Sequence, residues 1–168
     1  MKKYLLVDGY NIIFAWSHLT KIANDNLEEA RDKLIGILSN FSGYTAEQII
    51  LVFDAYKVNN GIETVSTYNR IKIIYTKERE TADSYIERVS KVLAKQYKVR
   101  VATADRVESL IILGHGASPL SPDFLLKEVD TVKKEIRQIA EREIKNNLLT
   151  DNIDKKSLEI LEKMRLDS

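Results

Sequence analysis

The sequence contains no cysteine, and it has only two prolines and six glycines among its 168 residues. Without cysteine there is no disulfide framework, no thiolate metal site and no cysteine nucleophile. This composition is typical of a protein of the reducing cytoplasm. Because so few prolines and glycines leave no obvious linker, and the length suits one domain, we expect a single compact domain.

Long apolar runs and an excess of one charge are also missing. The first apolar run, residues 4–7, is too short for a signal peptide and is followed by Asp8. No stretch approaches the roughly 18 apolar residues of a membrane span, so we expect a soluble cytoplasmic protein with no membrane partner. The net charge of +1, from 26 basic and 25 acidic residues, excludes a strongly basic binder of the histone type. It leaves room for a nuclease with a local acidic site.

Apolar runs of strand length alternate with stretches of helical periodicity. Strands are predicted at residues 4–7, 49–53, 71–75 and 99–102. Helices are predicted near 27–41 with Asp25 or Asn26 as the cap, after the cap Thr81, at 110–113 and from Ser121-Pro122 onward. This alternation predicts a Rossmann-like α/β fold, a mostly parallel sheet between helices, with a helical C-terminal extension. We place one domain at residues 1–148, including the long helix, and a marginal helical tail at residues 149–168.

Four aspartates fall at related places in this pattern. Asp8 ends the first strand, Asp54 ends the second and Asp105 follows the fourth, while Asp83 lies in the first turn of a helix. Taken singly, each is more simply a turn or cap residue, and Asp54 is the one most readily structural. The carboxyl ends of parallel strands share one edge, however, and unpaired carboxylates that meet there repel one another. The pattern therefore predicts a site for Mg²⁺ or Mn²⁺, which prefer oxygen ligands.

Such a site suits phosphodiester hydrolysis, because a divalent ion activates water and balances the charge on phosphate. No histidine base is needed, and His18 and His115 lie too far apart in sequence to form a metal-binding pattern. The sequence has no GxGxxG, Walker A or GxSxG motif, and Asp8-Gly9-Tyr10 is not the Asp-x-Asp of phosphoaspartate enzymes. A metal-dependent phosphodiesterase is the chemistry that these residues favour.

Basic and aromatic residues accompany the predicted site. The cations that could hold a phosphate backbone are Lys57, Arg70, Lys72, Lys77, Arg79 and Arg106. The aromatic residues that could stack on bases are Tyr10, Tyr56 and Tyr68. For any one of these residues, a solvated surface charge or an ordinary core aromatic is the simpler interpretation. As a set, they could hold a nucleic-acid strand beside the predicted metal site.

Four motifs together resemble the YacP-like branch of the NYN domain family, which belongs with the PIN-like nucleases. They are Asp8-Gly9-Tyr10-Asn11-Ile12-Ile13, Val52-Phe53-Asp54-Ala55, Glu80-Thr81-Ala82-Asp83 and Val101-Ala102-Thr103-Ala104-Asp105-Arg106. The resemblance runs from Met1 to about Lys145. It implies a PIN-like α/β/α fold and an endoribonuclease dependent on Mg²⁺ or Mn²⁺. It also implies that the substrate is mRNA and the partner is the translating ribosome.

The resemblance assigns roles to the matched residues. It implies that the metal ligands are Asp8, Asp83 and Asp105. It implies that Asn11, Thr103 and Asp54 orient ligands, water or phosphate, with Glu80 and Glu108 as reserve carboxylates. The sequence departs from the pattern after Gly116-Ala117, where an uncharged Ser-Pro-Leu-Ser stretch stands in place of basic residues. Ser121 stays a secondary candidate there, and the cations that could serve instead are Lys127, Lys133, Lys134 and Arg137.

Three alternatives stay open at this point. The first is a non-catalytic PIN-like module that binds RNA or the ribosome, although a site without catalysis has little need for unpaired acids. The second is a metal-dependent phosphatase or a DNA-directed nuclease that uses the same carboxylates. The third is an α/β scaffold in which every acid is a helix cap. We rank all three below the ribonuclease.

Overall fold

The computed structural model describes residues 1–55 and 63–166. The strands are β1 (Lys3–Asp8), β2 (Gln48–Phe53), β3 (Thr64–Tyr68), β4 (Ile71–Tyr75), β5 (Lys98–Ala102) and β6 (Ser118–Leu120). The helices are α1 (Gly9–Ala15), α2 (Ser17–Asp25), α3 (Leu27–Thr45), α4 (Ala82–Leu93), α5 (Arg106–Gly114) and α6 (Pro122–Leu166).

These strands form one sheet with the order β3-β4-β2-β1-β5-β6. All neighbours are parallel except β3, which runs antiparallel to β4. The chain leaves β1 for β2 and β4 on one side, and later returns to place β5 and β6 on the other. The carboxyl ends of β1 and β5 therefore flank a topological switch point, where open α/β sheets bind ligands.

Helices cover both faces of the sheet. Leu5 and Leu6 follow one another in β1 and point to opposite faces, yet both are fully buried. On one face Leu6 belongs to a core cluster that includes Ile86 of α4 and Ile112 of α5. On the other, α1 contacts β1 and β2, and α3 contacts β2 and β4. The predicted three-layer α/β/α fold with a mostly parallel sheet is confirmed.

Three helices begin at the capping residues that the sequence predicts. The side chains of Asn26, Thr81 and Ser121 each accept a hydrogen bond from the backbone N–H three residues on, at 3.2, 3.1 and 3.1 Å. These bonds satisfy backbone donors that a helix leaves unpaired at its start. Pro122 occupies the first position of α6, where its missing N–H costs little.

Several elements were not predicted from the sequence. They are the strands β3 and β6 and the helices α1 and α2. Every residue of β3 is exposed, so its sequence carries no buried face to recognise, and β6 has only three residues. The Asp8-Gly9 pair resembles a turn but begins α1. The predicted marginal tail continues α6 as far as Leu166.

The chain divides into two compact units, Met1–Thr131 and Val132–Ser168. The first contains the whole sheet, α1–α5 and the start of α6, and the second contains the rest of α6. The domain boundary that we placed at residue 148 stays a prediction. Among the described residues, no helix is both long enough and apolar enough to cross a membrane.

Candidate active site

Asp8 stands at the carboxyl end of β1, in the centre of the sheet. One of its carboxylate oxygens, Oδ1, accepts a hydrogen bond from the backbone N–H of Asn11 at 3.2 Å and so caps α1. The next residue has to be glycine, because a Cβ on Gly9 would overlap Cε1 of the Phe53 ring. The close approach of β1 and α1 to Phe53 therefore fixes where the Asp8 carboxylate lies.

Three further acids form a cluster at the starts of α4 and α5. Asp83, Asp105 and Glu108 can each offer one carboxylate oxygen such that all three oxygens lie within 4.8 Å of one another. Asp83 and Asp105 reach solvent, whereas Glu108 is buried. Asp105 also caps α5, since its Oδ1 accepts from the N–H groups of Val107 and Glu108 at 2.8 and 3.3 Å. Capping occupies one oxygen and leaves the other for a ligand.

Electrostatic coupling joins Asp8 to this cluster. The pKa of Asp8 is raised to about 7, chiefly by burial and also by the negative charges of Asp83 and Asp54, while the hydrogen bond from Asn11 opposes the shift. Burial likewise raises the pKa of Glu108 to about 7, together with the charges of Asp83 and Asp8. Asp8 therefore adds its negative charge beside the three-acid cluster, and such mutual repulsion is relieved by a proton or a cation.

The surroundings of Glu108 test whether these residues fit a metal ion. Thr103, buried just after β5, donates from its hydroxyl to Oε2 of Glu108 at 2.7 Å. The other oxygen, Oε1, is buried and has no hydrogen-bond partner among the described residues, and the same holds for Oδ1 of Asn11. Buried acceptors without a partner are costly and rare. A hard divalent cation would satisfy them, so the acidic cluster fits such an ion.

Asp54 lies beside Asp8 but has a separate structural contact. Its Oδ1 accepts a hydrogen bond from the backbone N–H of Ala82, which links the end of β2 to the first turn of α4. Because Asp83 is the next residue, this bond helps to fix the position of the Asp83 carboxylate. Asp54 therefore lies near the cluster. Its negative charge raises the pKa of Asp8, and its hydrogen bond from Ala82 holds the start of α4 in place.

The other secondary candidates have different surroundings. Oε1 of Glu80 pairs with Arg88 at 2.9 Å, while its Oε2 is buried with no partner among the described residues. Ser121 caps α6. In both cases the side chain binds a group outside the Asp83–Asp105–Glu108 cluster.

The predicted RNA-binding cations divide between the two ends of the sheet. Those beyond the carboxyl ends of β4 and β5, on the side of the acids, are Lys77, Arg79 and Arg106. Arg70 and Lys72 instead line a groove at the amino-terminal end of β4, together with Tyr4. The structure therefore does not bring Arg70 and Lys72 to the acids. Lys57 and Tyr56 lie outside the described residues, and Tyr68 is exposed on β3 at the same end as Arg70.

An open cleft of about 480 Å³ adjoins the cluster. The residues that line it are Asp8, Tyr10, Asn11, Phe14, Ala15, Asp54 and Ala104. Phe14 was not singled out from the sequence, and Glu108 was only a reserve candidate. The spacing of Asp105 and Glu108 was the available signal, because residues three apart at a helix start lie on the same side of one turn.

A PIN-like α/β/α fold with a carboxylate cluster at the switch point of its sheet places the chain in the class of NYN and PIN-like domains. The chain belongs to the family of YacP-like NYN domains, whose model matches residues 5–166. It is 42% identical over 135 residues to the protein YacP of Bacillus subtilis, an alignment that covers 80% of this chain and 79% of the relative. The family that the sequence motifs predict is confirmed.

Solved structures agree with this assignment. A crystal structure of Rae1 (YacP) from Bacillus subtilis matches with a TM-score of 0.73 and 36% identity, covering 98% of this chain and 95% of that one. A crystal structure of a point mutant of the same Bacillus subtilis protein matches with a TM-score of 0.70 and 39% identity, covering 81% and 80%. The similarity therefore extends over nearly the whole chain.

Proposed function

We propose that this protein is a metal-dependent endoribonuclease that cuts mRNA in the context of the translating ribosome. The observation that carries the proposal is the cluster of Asp83, Asp105 and Glu108, coupled to Asp8 at the switch point. The unpaired oxygen of Glu108 gives this cluster a reason to hold a cation rather than to stand as a set of helix caps. RNA, the ribosome and a cytoplasmic location enter the proposal through the family resemblance.

Each residue has a defined part in this proposal. The side chains that would hold Mg²⁺ or Mn²⁺ are Asp8, Asp83, Asp105 and Glu108. When bound, such an ion lowers the pKa of a bound water molecule and balances charge on the phosphate. Thr103 orients Glu108 through its 2.7 Å hydrogen bond, and Oδ1 of Asn11 can accept a hydrogen bond from a water molecule.

The flanking cations supply the substrate contacts. Lys77, Arg79 and Arg106 are exposed on the side of the acids, where they can neutralise phosphates on either side of the cut. Contacts of this kind position a nucleic acid without reading its sequence. We therefore expect these three residues to affect substrate binding more than the hydrolytic step.

The test is cleavage of an mRNA under active translation, comparing the wild type with Asp83→Asn in Mg²⁺ and in Mn²⁺, with free RNA in parallel. Asp130→Asn is the matched control, because Asp130 is an exposed aspartate of the same compact unit on α6. We expect discrete cuts that need both translation and Asp83, with Asp130→Asn equal to wild type.

The other outcomes discriminate between the alternatives. Equally efficient cleavage of free RNA would support a ribonuclease that does not depend on the ribosome. Binding to RNA or ribosomes with no Asp83-dependent cutting in either arm would favour the non-catalytic module, in which Asp8 and Asp105 serve as the helix caps that they visibly are.

Metal binding should also appear in the stability of the fold. If an ion binds only the native state and its free concentration is about 100 times its dissociation constant, it adds roughly 2.7 kcal/mol to the free energy of unfolding. For a chain of this size, that raises the melting temperature by about 5–10 °C. We expect Mg²⁺ or Mn²⁺ to produce such a shift relative to EDTA in the wild type and in Asp130→Asn. A similar shift in Asp83→Asn would place the ion elsewhere.

A further inference from the structure

The lining of the cleft beside Asp8 has an apolar part and a polar part. The apolar part consists of Phe14, Ala15, Ala104 and Tyr10. The polar part consists of Asp8, Asn11 and Asp54. The cleft volume of about 480 Å³ lies within the range of small-molecule sites.

This lining indicates what kind of group fits. No lysine or arginine lines the cleft among the described residues, and Asp8 and Asp54 would repel a phosphate placed directly in it. A lining that combines apolar side chains with carboxylate acceptors instead suits a flat, uncharged group that carries N–H or O–H donors. Nucleobases have this character, because they present a π-face for stacking and amino or imino groups at the edge.

The apolar part of the lining suits stacking. Tyr10 and Phe14 lie four residues apart in α1 and therefore share one side of that helix. Tyr10 is only 7% exposed, and it is held by a hydrogen bond from Arg31 to its hydroxyl and by a ring contact with Phe53. Phe14 is 49% exposed, so its ring is accessible beside a lining residue that is already fixed.

We propose that Phe14 stacks on a nucleobase of the RNA, that of the nucleotide next to the phosphate at the acidic cluster. This inference rests on the proposed nuclease function and extends it by naming a base-binding site. The connection is geometric, because Ala104 in the cleft is the neighbour of Asp105, and Asp54 in the cleft accepts a hydrogen bond from the backbone N–H of Ala82, the neighbour of Asp83. A base in the cleft and a phosphate at the cluster therefore belong to neighbouring parts of one strand.

The first experiment measures stacking without cleavage. RNA oligonucleotides that carry 2-aminopurine at successive positions are titrated with protein in the Asp83→Asn background, and quenching of the fluorescence reports contact with an aromatic ring. We expect quenching at one position, lost on adding Phe14→Ala and kept with Phe14→Trp. Phe124→Ala is the matched control, since Phe124 is 54% exposed on α6 but does not line the cleft. No quenching at any position, or equal quenching with Phe14→Ala, would overturn the proposal.

The second experiment connects stacking to cleavage under translation and in free RNA. We expect Phe14→Ala to raise KM about tenfold, with a smaller effect on kcat, because stacking on one aromatic ring contributes a factor of this order. Removing the base at the quenched position should raise the KM of the wild type by a similar factor and leave the KM of Phe14→Ala almost unchanged.

The results separate the two claims. If cutting depends on Asp83 but Phe14→Ala behaves as wild type, the proposed base site is wrong and the proposed nuclease function is supported. If quenching depends on Phe14 but no Asp83-dependent cut occurs under translation or in free RNA, the cleft binds a base and the proposed nuclease function is wrong.

Discussion

Asp8→Asn is expected to reduce cleavage by a factor of about 10³ or more while the fold stays intact. A bound metal ion contributes several kcal/mol of stabilisation to the charged transition state, and each 1.4 kcal/mol is about tenfold in rate. Removing one charged ligand beside the three-acid cluster should forfeit most of that contribution. The asparagine side chain keeps an oxygen that can accept the hydrogen bond from Asn11, so the cap on α1 is preserved.

Without metal, the same substitution is expected to stabilise the fold at high pH although it removes activity. Burial is the main reason that the pKa of Asp8 rises to about 7 in the folded chain, whereas an aspartate in an unfolded chain has its ordinary pKa of 3.8. The folded state therefore binds the proton more tightly, and this contribution to stability is complete below about pH 4 and is lost as the pH rises towards 7. At pH 8 the wild type must hold the charged carboxylate in the cluster, while Asp8→Asn does not.

The measurement is urea denaturation in EDTA at pH 5 and pH 8. We expect Asp8→Asn to gain stability relative to wild type on going from pH 5 to pH 8. The gain should be about 1–2 kcal/mol, less than the full linkage value because Asp8 keeps some contact with solvent. Asp130→Asn should show no such pH dependence. A large loss of stability at pH 8 would mean that capping is the main role of Asp8, and full cleavage activity would remove it from the site.

Much of the fold could be predicted because its core obeys simple periodicity. The uninterrupted apolar run of β2 indicates a strand buried on both faces, and five of its six residues are buried. Helix starts could be predicted where a short polar side chain precedes an amphipathic stretch, as at Asn26 and Thr81. The gathering of Asp8, Asp83 and Asp105 followed from the parallel sheet, since its strands end at one edge.

Other features depend on contacts that no local pattern contains. Glu108 joins the cluster because the turn after β5 buries it against Thr103, and its spacing alone also suits an ordinary first-turn acid. Arg70 and Lys72 are close in sequence to the site motifs, but they stand at the start of the parallel strand β4 and so lie at the opposite end of the sheet from the acids. Phe14 acquires its significance only from the cleft it lines, whose walls come from three separate segments.

Gly9→Ala is expected to destabilise the protein by about 3 kcal/mol, at the upper end of the usual cost of overpacking. The added methyl would stand 2.5 Å from Cδ1 of Phe53 and closer still to Cε1, and the Phe53 ring is fully buried. Either that ring or the turn from β1 into α1 has to move. Because Asp8 precedes this turn, the shift should also weaken the stabilisation by Mg²⁺ or Mn²⁺.

Gly36→Ala is the matched control for this effect. Gly36 lies inside α3, and a Cβ there would meet nothing within 4 Å. The same substitution should therefore stabilise the chain by about 0.5–1 kcal/mol, because alanine loses less conformational entropy in a helix than glycine does. Urea denaturation of the two variants should thus show shifts of opposite sign. Equal shifts would show that contact with Phe53 is not what requires glycine at position 9.

A double-mutant cycle with Phe53→Leu identifies the contact itself. Phe53→Leu alone should be destabilising, because it removes a buried ring that packs against Tyr10 and Tyr75. In that background, however, Gly9→Ala should cost much less than in the wild type, since leucine lacks the Cε1 and Cζ atoms and its shorter side chain can turn away from the added methyl. If the cost is unchanged, the strain lies in the backbone of the turn. If it falls, the packing of one phenylalanine determines both the glycine and the position of the Asp8 carboxylate.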